Sequence, residues 1–232
     1  MARQKAMIMA DGETPLTRTE LNKQDKSRRI REASRAMFLT HGYEAATIKD
    51  IARMAEVAQG TLFLYASSKR DLLFMLYNDM LDDTVEASIN APRDGLNLSE
   101  ILLQVALIHF QNFTNHLGIA RLSLIHLNLY DKSAESERFS ATYRKLADFL
   151  ESEFDKASID GTLSETFDRP LMAAMAFAIM VEGLKAYQRM EIPDIRQAMQ
   201  NIRGQNLVML RGLGARPDAL EISHPGLACW LG

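Results

Sequence analysis

The sequence from Thr47 to Lys69, TIKDIARMAEVAQGTLFLYASSK, constrains the fold more than any other stretch of the chain. Thr47 followed three residues later by Asp50 is a capping pair, and it predicts the start of a short helix. The apolar residues of this helix recur at helical spacing and predict one buried face, formed by Ile48, Ile51, Ala52 and Ala55.

A second short helix is predicted from Gln59 to Tyr65, after a tight turn at Glu56-Val57. Ala52 is small enough to let this second helix cross close to the first. Ser68 then caps a further helix, with Asp71 three residues later. Two short helices held across each other by small and apolar residues have the geometry of a helix-turn-helix, whose second helix enters the major groove of DNA.

This part of the chain resembles the N-terminal domain of the tetracycline-repressor (TetR) family of transcriptional regulators. About one position in three over some fifty residues matches in register, which is far more specific than a lone short motif. The matching residues are Ile30, Ala33, Phe38, Gly42, Tyr43, Thr47, Ile51, Ala52, Ala55, Val57, Gly60, Thr61, Leu62, Tyr65, Ser68, Lys69 and Leu72. The C-terminal two thirds resembles the family only in length and helical pattern.

Two departures from the family pattern affect the local fold. Glu56 stands where the family often has glycine, at a turn position that is expected to need a positive φ, and a side chain there costs about 1 kcal/mol. Ala58 stands where a capping serine is usual, so the second short helix is expected to lack a side-chain cap.

The resemblance implies which residues face DNA. Gln59 carries an amide that can pair with adenine, and the hydroxyls of Thr61 and Tyr65 suit phosphate oxygens. Lys49 and Lys69 add positive charge near the DNA backbone. The full set of expected DNA-binding residues is Thr47, Lys49, Gln59, Gly60, Thr61, Phe63, Leu64, Tyr65 and Lys69. For Phe63, Leu64 and Tyr65 the alternative is a purely structural role in the core.

The charge distribution agrees with a DNA-binding N-terminal part. Residues 1–70 carry 13 Lys or Arg and 8 Asp or Glu, a net +5, whereas residues 71–232 carry 14 and 22, a net −8. A basic first third on an acidic remainder suits binding of double-stranded DNA through one end only. Lys26, Arg28, Arg29 and Arg31 either contact the DNA backbone or form a solvated start to a helix.

Composition favours a cytoplasmic protein that does not enter the membrane. The single cysteine, Cys229, cannot form an intramolecular disulfide, and no signal peptide is expected at the N-terminus. The longest dense apolar run, 171–181, is shorter than the roughly 20 residues that a membrane span needs.

The expected fold is all-α: an N-terminal three-helix helix-turn-helix DNA-binding domain, followed by a helical-bundle domain for ligand binding and dimerisation. Residues 1–25 are expected to form a flexible arm, with some helix near 19–25. Residues 26–70 then form the DNA-binding domain, 71–214 the regulatory domain and 215–232 a C-terminal tail. Residues 119–130 alternate as a strand does, but their helical surroundings favour a helix.

The regulatory domain is expected to hold a small-molecule effector. Helices predicted between residues 99 and 157 combine large apolar side chains with a few polar groups, the usual make-up of a ligand pocket. The candidate pocket residues are His109, Phe110, Asn112, Phe113, Leu124, His126 and Tyr143. The two histidines are alternatively core residues whose hydrogen bonds are made within the protein.

A homodimer is expected because the helix after Asp168 is apolar nearly all round, so more than one neighbour must cover it. By the resemblance, this helix and the next one pair with their two-fold copies in a four-helix interface. The candidate interface residues are Met172, Met175, Ala176, Ile179, Met180, Met199, Ile202 and Met209.

No catalytic site, metal site or cofactor is expected. The sequence has no Ser/His/Asp order, no glycine-rich phosphate loop and no HExxH motif. Glu221 and His224 have the spacing of a metal pair but lack partners. The resemblance implies the expected function, a repressor that a small hydrophobic ligand releases from a two-fold operator. The alternatives are a constitutive DNA-binding protein without an inducer and a helical-bundle enzyme.

Overall fold

The computed structural model describes residues 17–127, 132–164 and 167–231, which are helical almost throughout and form two compact units, 1–72 and 73–232. The predicted all-α fold is confirmed. The α-helices of the described residues are α1 (Arg18–His41), α2 (Ile48–Met54), α3 (Gln59–Leu62), α4 (Lys69–Asn90), α5 (Leu98–Asn115), α6 (Leu117–His126), α7 (Ala134–Ile159), α8 (Arg169–Arg189), α9 (Ile195–Gly212) and α10 (Pro225–Ala228). A 3₁₀ helix, Pro217–Leu220, precedes α10.

The first unit contains α1, α2, α3 and the first turn of α4. The helix expected near 19–25 is observed, because α1 begins at Arg18, so these residues are part of α1 and not of a flexible arm. Thr17 and Glu20 form a reciprocal capping box there, which satisfies backbone N–H groups at the helix start. Residues 1–16 lie outside the described part. The core of this unit is formed by Ile30, Phe38, Ile51, Leu62 and Leu72, all fully buried.

The second unit contains the rest of α4 and the helices after it. α8 packs against α7 and α9, and α9 packs against α5. The helix predicted at 119–130 is observed as Leu117–His126, and its predicted end at Tyr130 lies outside the described residues. By length and composition α8 is apolar enough to cross a membrane, yet a third of that stretch is buried inside the protein.

The C-terminal tail, for which the sequence shows no pattern, is folded onto α5. Asn97, the N-cap of α5, donates through Nδ2 to the carbonyl oxygens of Glu221 (2.8 Å) and Asp218 (3.2 Å). Glu100, one turn into α5, accepts from the backbone N–H groups of Ser223 and His224, both at 2.7 Å. The end of the chain therefore belongs to the second unit.

Candidate nucleic-acid interface and ligand cavity

The helix-turn-helix is built as the local sequence predicts. The backbone N–H of Asp50 donates to Oγ1 of Thr47 at 3.1 Å and caps α2. Glu56 has φ 53°, so the expected positive φ at the turn is confirmed. Ala58 makes no side-chain capping bond, which confirms the missing cap of α3. Leu62, fully buried, fixes which side of α3 faces the core.

The opposite side of α3 and the turn that follows it are open to solvent. α3 ends at Leu62 rather than at Tyr65, and the next residues continue as turns. Gln59 and Gly60 are exposed, Phe63 is 46% exposed and Leu64 is 84% exposed. The structural alternative is therefore wrong for Leu64, because a core leucine does not leave most of its surface in water.

Two of the side chains expected to contact DNA already make hydrogen bonds within the first unit. The hydroxyl of Tyr65 donates to the carbonyl oxygen of Lys23 in α1 at 3.2 Å. The Nζ of Lys69 donates to the carbonyl oxygens of Tyr43 (2.7 Å) and Glu44 (3.1 Å) and lies 4.4 Å from the centroid of the Tyr43 ring. Both side chains brace the helix-turn-helix against α1 and the loop after it. A DNA contact by either remains a prediction.

The remaining expected positions divide by exposure. Thr47 and Lys49 are exposed on α2, and Thr61 is half-buried. Lys49 has no ion-pair partner in the described part of the chain, so its ammonium group is available to a phosphate. Of the basic cluster in α1, Arg28 pairs with Asp25 at 2.7 Å and Arg29 pairs with the same carboxylate at 3.0 Å. Arg28 also pairs with Glu32 at 2.9 Å and Arg29 with Glu56 at 3.5 Å, so both arginines already have carboxylate partners within the first unit.

A cavity of about 740 Å³ lies in the second unit, enclosed by α4, α5, α6, α7 and α8. Its size falls in the usual range for small-molecule sites, and its wall is mostly aliphatic and aromatic. The lining side chains are Tyr77, Leu81, Val85, His109, Phe113, Ala120, Ser123, Leu124, Leu127, Phe139, Ser140, Tyr143, Arg144, Leu146, Ala147, Phe177, Met180, Val181, Leu184, Lys185 and Gln188.

Four of the seven candidate pocket residues line this cavity: His109, Phe113, Leu124 and Tyr143. The other three were placed wrongly. Phe110 lies fully buried, with its ring centroid 5.2 Å from that of Tyr187, and Nδ2 of Asn112 donates to the carbonyl oxygen of Met80 at 3.0 Å. His126 is the last residue of α6 and is not part of the cavity wall.

Much of the wall comes from α8, which the sequence analysis assigned to the dimer. Phe177 meets Tyr143 edge to face at 4.2 Å between ring centroids, and Val181 and Leu184 follow along the same helix. The all-round apolar character of α8 was the available signal. It shows that several surfaces must be covered, but it does not distinguish a ligand from a partner chain.

The polar groups of the wall lie in two places. Lys185 and Arg144 both lie on the solvent side, since Arg144 is exposed and the side chain of Lys185 is 45% exposed. His109, by contrast, is buried, and this burial lowers its pKa to about 4 despite a hydrogen bond with Val105. Tyr77 lies deep among protein atoms although part of it is accessible beside the cavity, and burial raises its pKa to about 12. At neutral pH both buried groups are therefore uncharged.

An ionic network connects the cavity helix α7 to α4. Arg138 of α7 donates to Asp79 at 2.8 Å through Nη2 and to Asp82 at 2.9 Å through Nε. Thr142, one turn further along α7, also donates to Asp82. Burial lowers the pKa of Arg138, but the hydrogen bonds with the two aspartates outweigh this effect and raise it. The network fixes the spacing of two helices that both line the cavity.

Most of the candidate dimer residues are core residues of the chain itself. Six of the eight are at most 6% exposed: Met172, Ala176, Met180, Met199, Ile202 and Met209. These side chains pack within the second unit itself and leave little surface for a second chain, so their place in an interface stays a prediction. Met175 is 43% exposed and Ile179 is half-buried. Other apolar side chains left in solvent on α8 and α9 are Leu171, 57% exposed, and Val208, 71% exposed.

Proteins with related sequences are bacterial regulators. The sequence profile described as "Bacterial regulatory proteins, tetR family" matches residues 30–76. The "Fatty acid metabolism regulator protein" of Bacillus subtilis (strain 168) is 22% identical over 165 residues, which are 71% of this chain and 84% of that protein. The "HTH-type transcriptional regulator HbdR" of Aromatoleum sp. (strain CIB) is 34% identical over 73 residues, 32% of this chain and 31% of that protein.

Similar solved structures share the fold over both units. FadR of Bacillus subtilis, solved in complex with stearoyl-CoA, superposes with a TM-score of 0.62 at 18% identity and covers 80% of this chain and 98% of its own. FadR of Thermus thermophilus, solved in complex with lauroyl-CoA, has a TM-score of 0.60 at 19% identity and covers 86% and 98%. At such identities the likeness shows the fold alone.

Proposed function

Since the chain belongs to the TetR family of transcriptional regulators, a non-enzymatic family, we propose that it is a dimeric repressor that an acyl-CoA releases from DNA. The observation that carries this proposal is the cavity of about 740 Å³, apolar inside and bordered by two cationic side chains. The protein acts in the bacterial cytoplasm. Its operator has two-fold symmetry, and the two half-sites are about one helical turn of DNA, roughly 34 Å, apart.

DNA recognition is assigned to the exposed side of α3 and the turn after it. Gln59 hydrogen-bonds to a base edge through its side-chain amide. The exposed side chain of Leu64 makes an apolar contact with a thymine methyl group. Lys49 meets a phosphate, because its ammonium group is exposed and forms no ion pair in the part of the chain that the structure describes.

The ligand is assigned by the polarity of the cavity. Its aliphatic and aromatic interior suits an acyl chain, whereas Arg144 and Lys185 suit the phosphates of coenzyme A. The FadR proteins of Bacillus subtilis and Thermus thermophilus, whose fold this chain shares, were solved with stearoyl-CoA and lauroyl-CoA. An acyl-CoA therefore satisfies both the apolar and the cationic part of the wall.

Release from DNA follows from the position of the cavity beside α4. A ligand that spreads α7 from its neighbours also displaces α4, because Arg138 and Thr142 bind Asp79 and Asp82. α4 continues without a break into the first unit, where it carries Lys69. The ligand weakens DNA binding only by as much as it prefers the released state, typically about 1–3 kcal/mol.

The test measures operator affinity with and without lauroyl-CoA, after the operator has been selected from random sequences. Ala147→Phe, which fills the cavity, is expected to abolish the response to lauroyl-CoA, whereas Ala141→Phe, on the exposed side of the same helix, is expected to retain it. An operator affinity that no acyl-CoA changes would favour the constitutive DNA-binding protein instead.

The DNA surface is tested in the same assay. Gln59→Ala is expected to weaken the selected operator by ~1–3 kcal/mol and to relax its base preference. Lys49→Ala is expected to weaken all sequences alike and to reduce the salt slope by about one. Lys145→Ala, an exposed lysine of α7, is the control and is expected to change neither quantity. Unchanged binding by a Gln59→Ala, Lys49→Ala double variant would rule out this surface.

A further inference from the structure

The wall of the cavity contains a buried hydrogen-bond acceptor that has no partner among the described residues. The ligand preference inferred from it rests on the proposed function. Nδ1 of His109 lies 2.9 Å from the carbonyl oxygen of Val105, in the preceding turn of α5. Nε2 of the same ring is buried and has no hydrogen-bond partner in the described part of the chain. The residue is only 2% exposed and lines the cavity.

The partner of Nδ1 determines what Nε2 can do. A carbonyl oxygen only accepts, so Nδ1 of His109 carries the proton and donates to Val105. The hydroxyl of Ser88, 3.4 Å from Nδ1, itself donates to the carbonyl oxygen of Thr84, so its proton is not directed to the ring. The ring is neutral, since burial lowers its pKa to about 4, and in a neutral imidazole the other nitrogen is an acceptor. Because Nδ1 points back to the backbone of α5, Nε2 lies on the side of the ring directed away from that helix.

A second acceptor in the same wall is also buried and lacks a hydrogen-bond donor among the described residues. Gln188, near the end of α8, is 4% exposed and lines the cavity, and its buried side-chain Oε1 has no hydrogen-bond partner among the residues that the structure describes. Its backbone carbonyl oxygen accepts from Nε of Arg121 at 2.8 Å, so the residue is held in position by its main chain. Two buried acceptors with no donor make the cavity suited to a ligand that brings a donor into its interior.

We propose that the effector is a hydroxylated acyl-CoA whose chain hydroxyl donates a hydrogen bond to Nε2 of His109. An unsubstituted alkyl chain packed against the imidazole leaves this acceptor unpaired, and a buried unpaired acceptor is costly. A hydroxyl placed at the ring removes that cost and keeps the apolar packing of the remaining chain. The preference for the hydroxylated ligand is expected to be about tenfold or more in Kd.

The experiment titrates the full-length protein calorimetrically with lauroyl-CoA and with monohydroxylated lauroyl-CoA isomers that differ in the position of the hydroxyl. One isomer is expected to bind about tenfold more tightly than lauroyl-CoA. His109→Leu removes the acceptor and should abolish this advantage by weakening the hydroxylated ligand. Gln111→Leu, at an exposed position of the same helix outside the cavity wall, is the control and should preserve it.

Each outcome decides the proposal. If lauroyl-CoA binds and releases the operator but no isomer binds more tightly, the hydroxyl preference is refuted while the repressor function stands. An advantage that survives in His109→Leu and disappears in Gln188→Met would assign the hydroxyl to Gln188 and overturn the role of His109. If no acyl-CoA binds at all, the ligand class of the proposed function fails as well. Ligand-free operator binding shows whether each variant is folded. If His109→Leu is not, Gln188→Met decides, because an advantage that this variant retains assigns the hydroxyl to His109 and one that it loses assigns it to Gln188.

Discussion

Replacing Glu100 by glutamine is expected to destabilise the second unit by releasing the C-terminal tail. The carboxylate is 1% exposed and accepts four hydrogen bonds. Oε1 accepts from the N–H groups of Ser223 and His224, both at 2.7 Å, and from Oγ of Ser223 at 3.3 Å. Oε2 accepts from the N–H of Asn97 at 3.1 Å, the N-cap of α5.

The magnitude follows from these contacts. Hydrogen bonds to a charged group contribute about 1.5–3 kcal/mol each, roughly twice as much as neutral ones. In the amide, one oxygen still accepts from the tail, but an NH₂ group replaces the other oxygen and faces the N–H of Asn97 donor to donor. We therefore expect Glu100→Gln to lower the free energy of unfolding by about 2–4 kcal/mol at pH 7.

The effect depends on pH with a definite sign. Burial raises the pKa of Glu100, but the hydrogen bonds from His224, Asn97 and Ser223 outweigh it and hold the pKa below its ordinary value. The carboxylate therefore stabilises the fold fully above the unfolded pKa of about 4.3, and this stabilisation is lost as the pH falls through the lower pKa of the folded protein. The difference between wild type and Glu100→Gln should shrink below about pH 4.

Urea unfolding measures the difference and is done at one fixed protein concentration, because the stability of the proposed dimer would depend on concentration. Hydrogen exchange at the amides of Ser223 and His224 reports directly on the tail and should become faster in Glu100→Gln. Glu86→Gln, an exposed carboxylate of α4, is the control and should stay within about 0.5 kcal/mol of wild type. A change equally small in Glu100→Gln, with the tail amides still protected, would refute the assigned role of this carboxylate.

Three further substitutions test the coupling, the dimer and the turn. Arg138→Gln should leave the affinity for acyl-CoA within about threefold of wild type but reduce the ligand's effect on operator affinity by several-fold. Lys145→Gln, the control, should respond as wild type. If both variants release the operator equally, the Arg138 network does not transmit induction. Val208→Asp, at a 71% exposed position, should remain folded but sediment as a monomer. Met209→Asp, at a 6% exposed position, should be unfolded, which circular dichroism measures. A Val208→Asp variant that sediments as a dimer would show that the interface lies elsewhere. Glu56→Gly should raise the free energy of unfolding by about 1 kcal/mol in urea, since glycine adopts φ 53° without strain, and a loss of stability would contradict this.

The helix-turn-helix was predictable from the sequence because local interactions specify it. Thr47 caps α2 through the N–H of Asp50 only three residues away, and the positive φ of Glu56 is a property of one turn. The start of α1 is equally local, in the capping box of Thr17 and Glu20, and it lies within two residues of the helix expected near 19–25. Signals of this kind act over a few residues and are readable without knowing the tertiary structure.

The proposed ligand and dimer surfaces depend on tertiary packing. Phe110 and Phe113 lie on one helix and are equally apolar, yet Phe110 packs on Tyr187 while Phe113 faces the cavity. Neighbouring residues of α9 differ in the same way, since Met209 is buried and Val208 is exposed. Apolar periodicity shows that a helix face must be covered. Whether it is covered by the chain's own core, by a ligand or by a second protomer depends on how distant helices pack, and no local interaction encodes that.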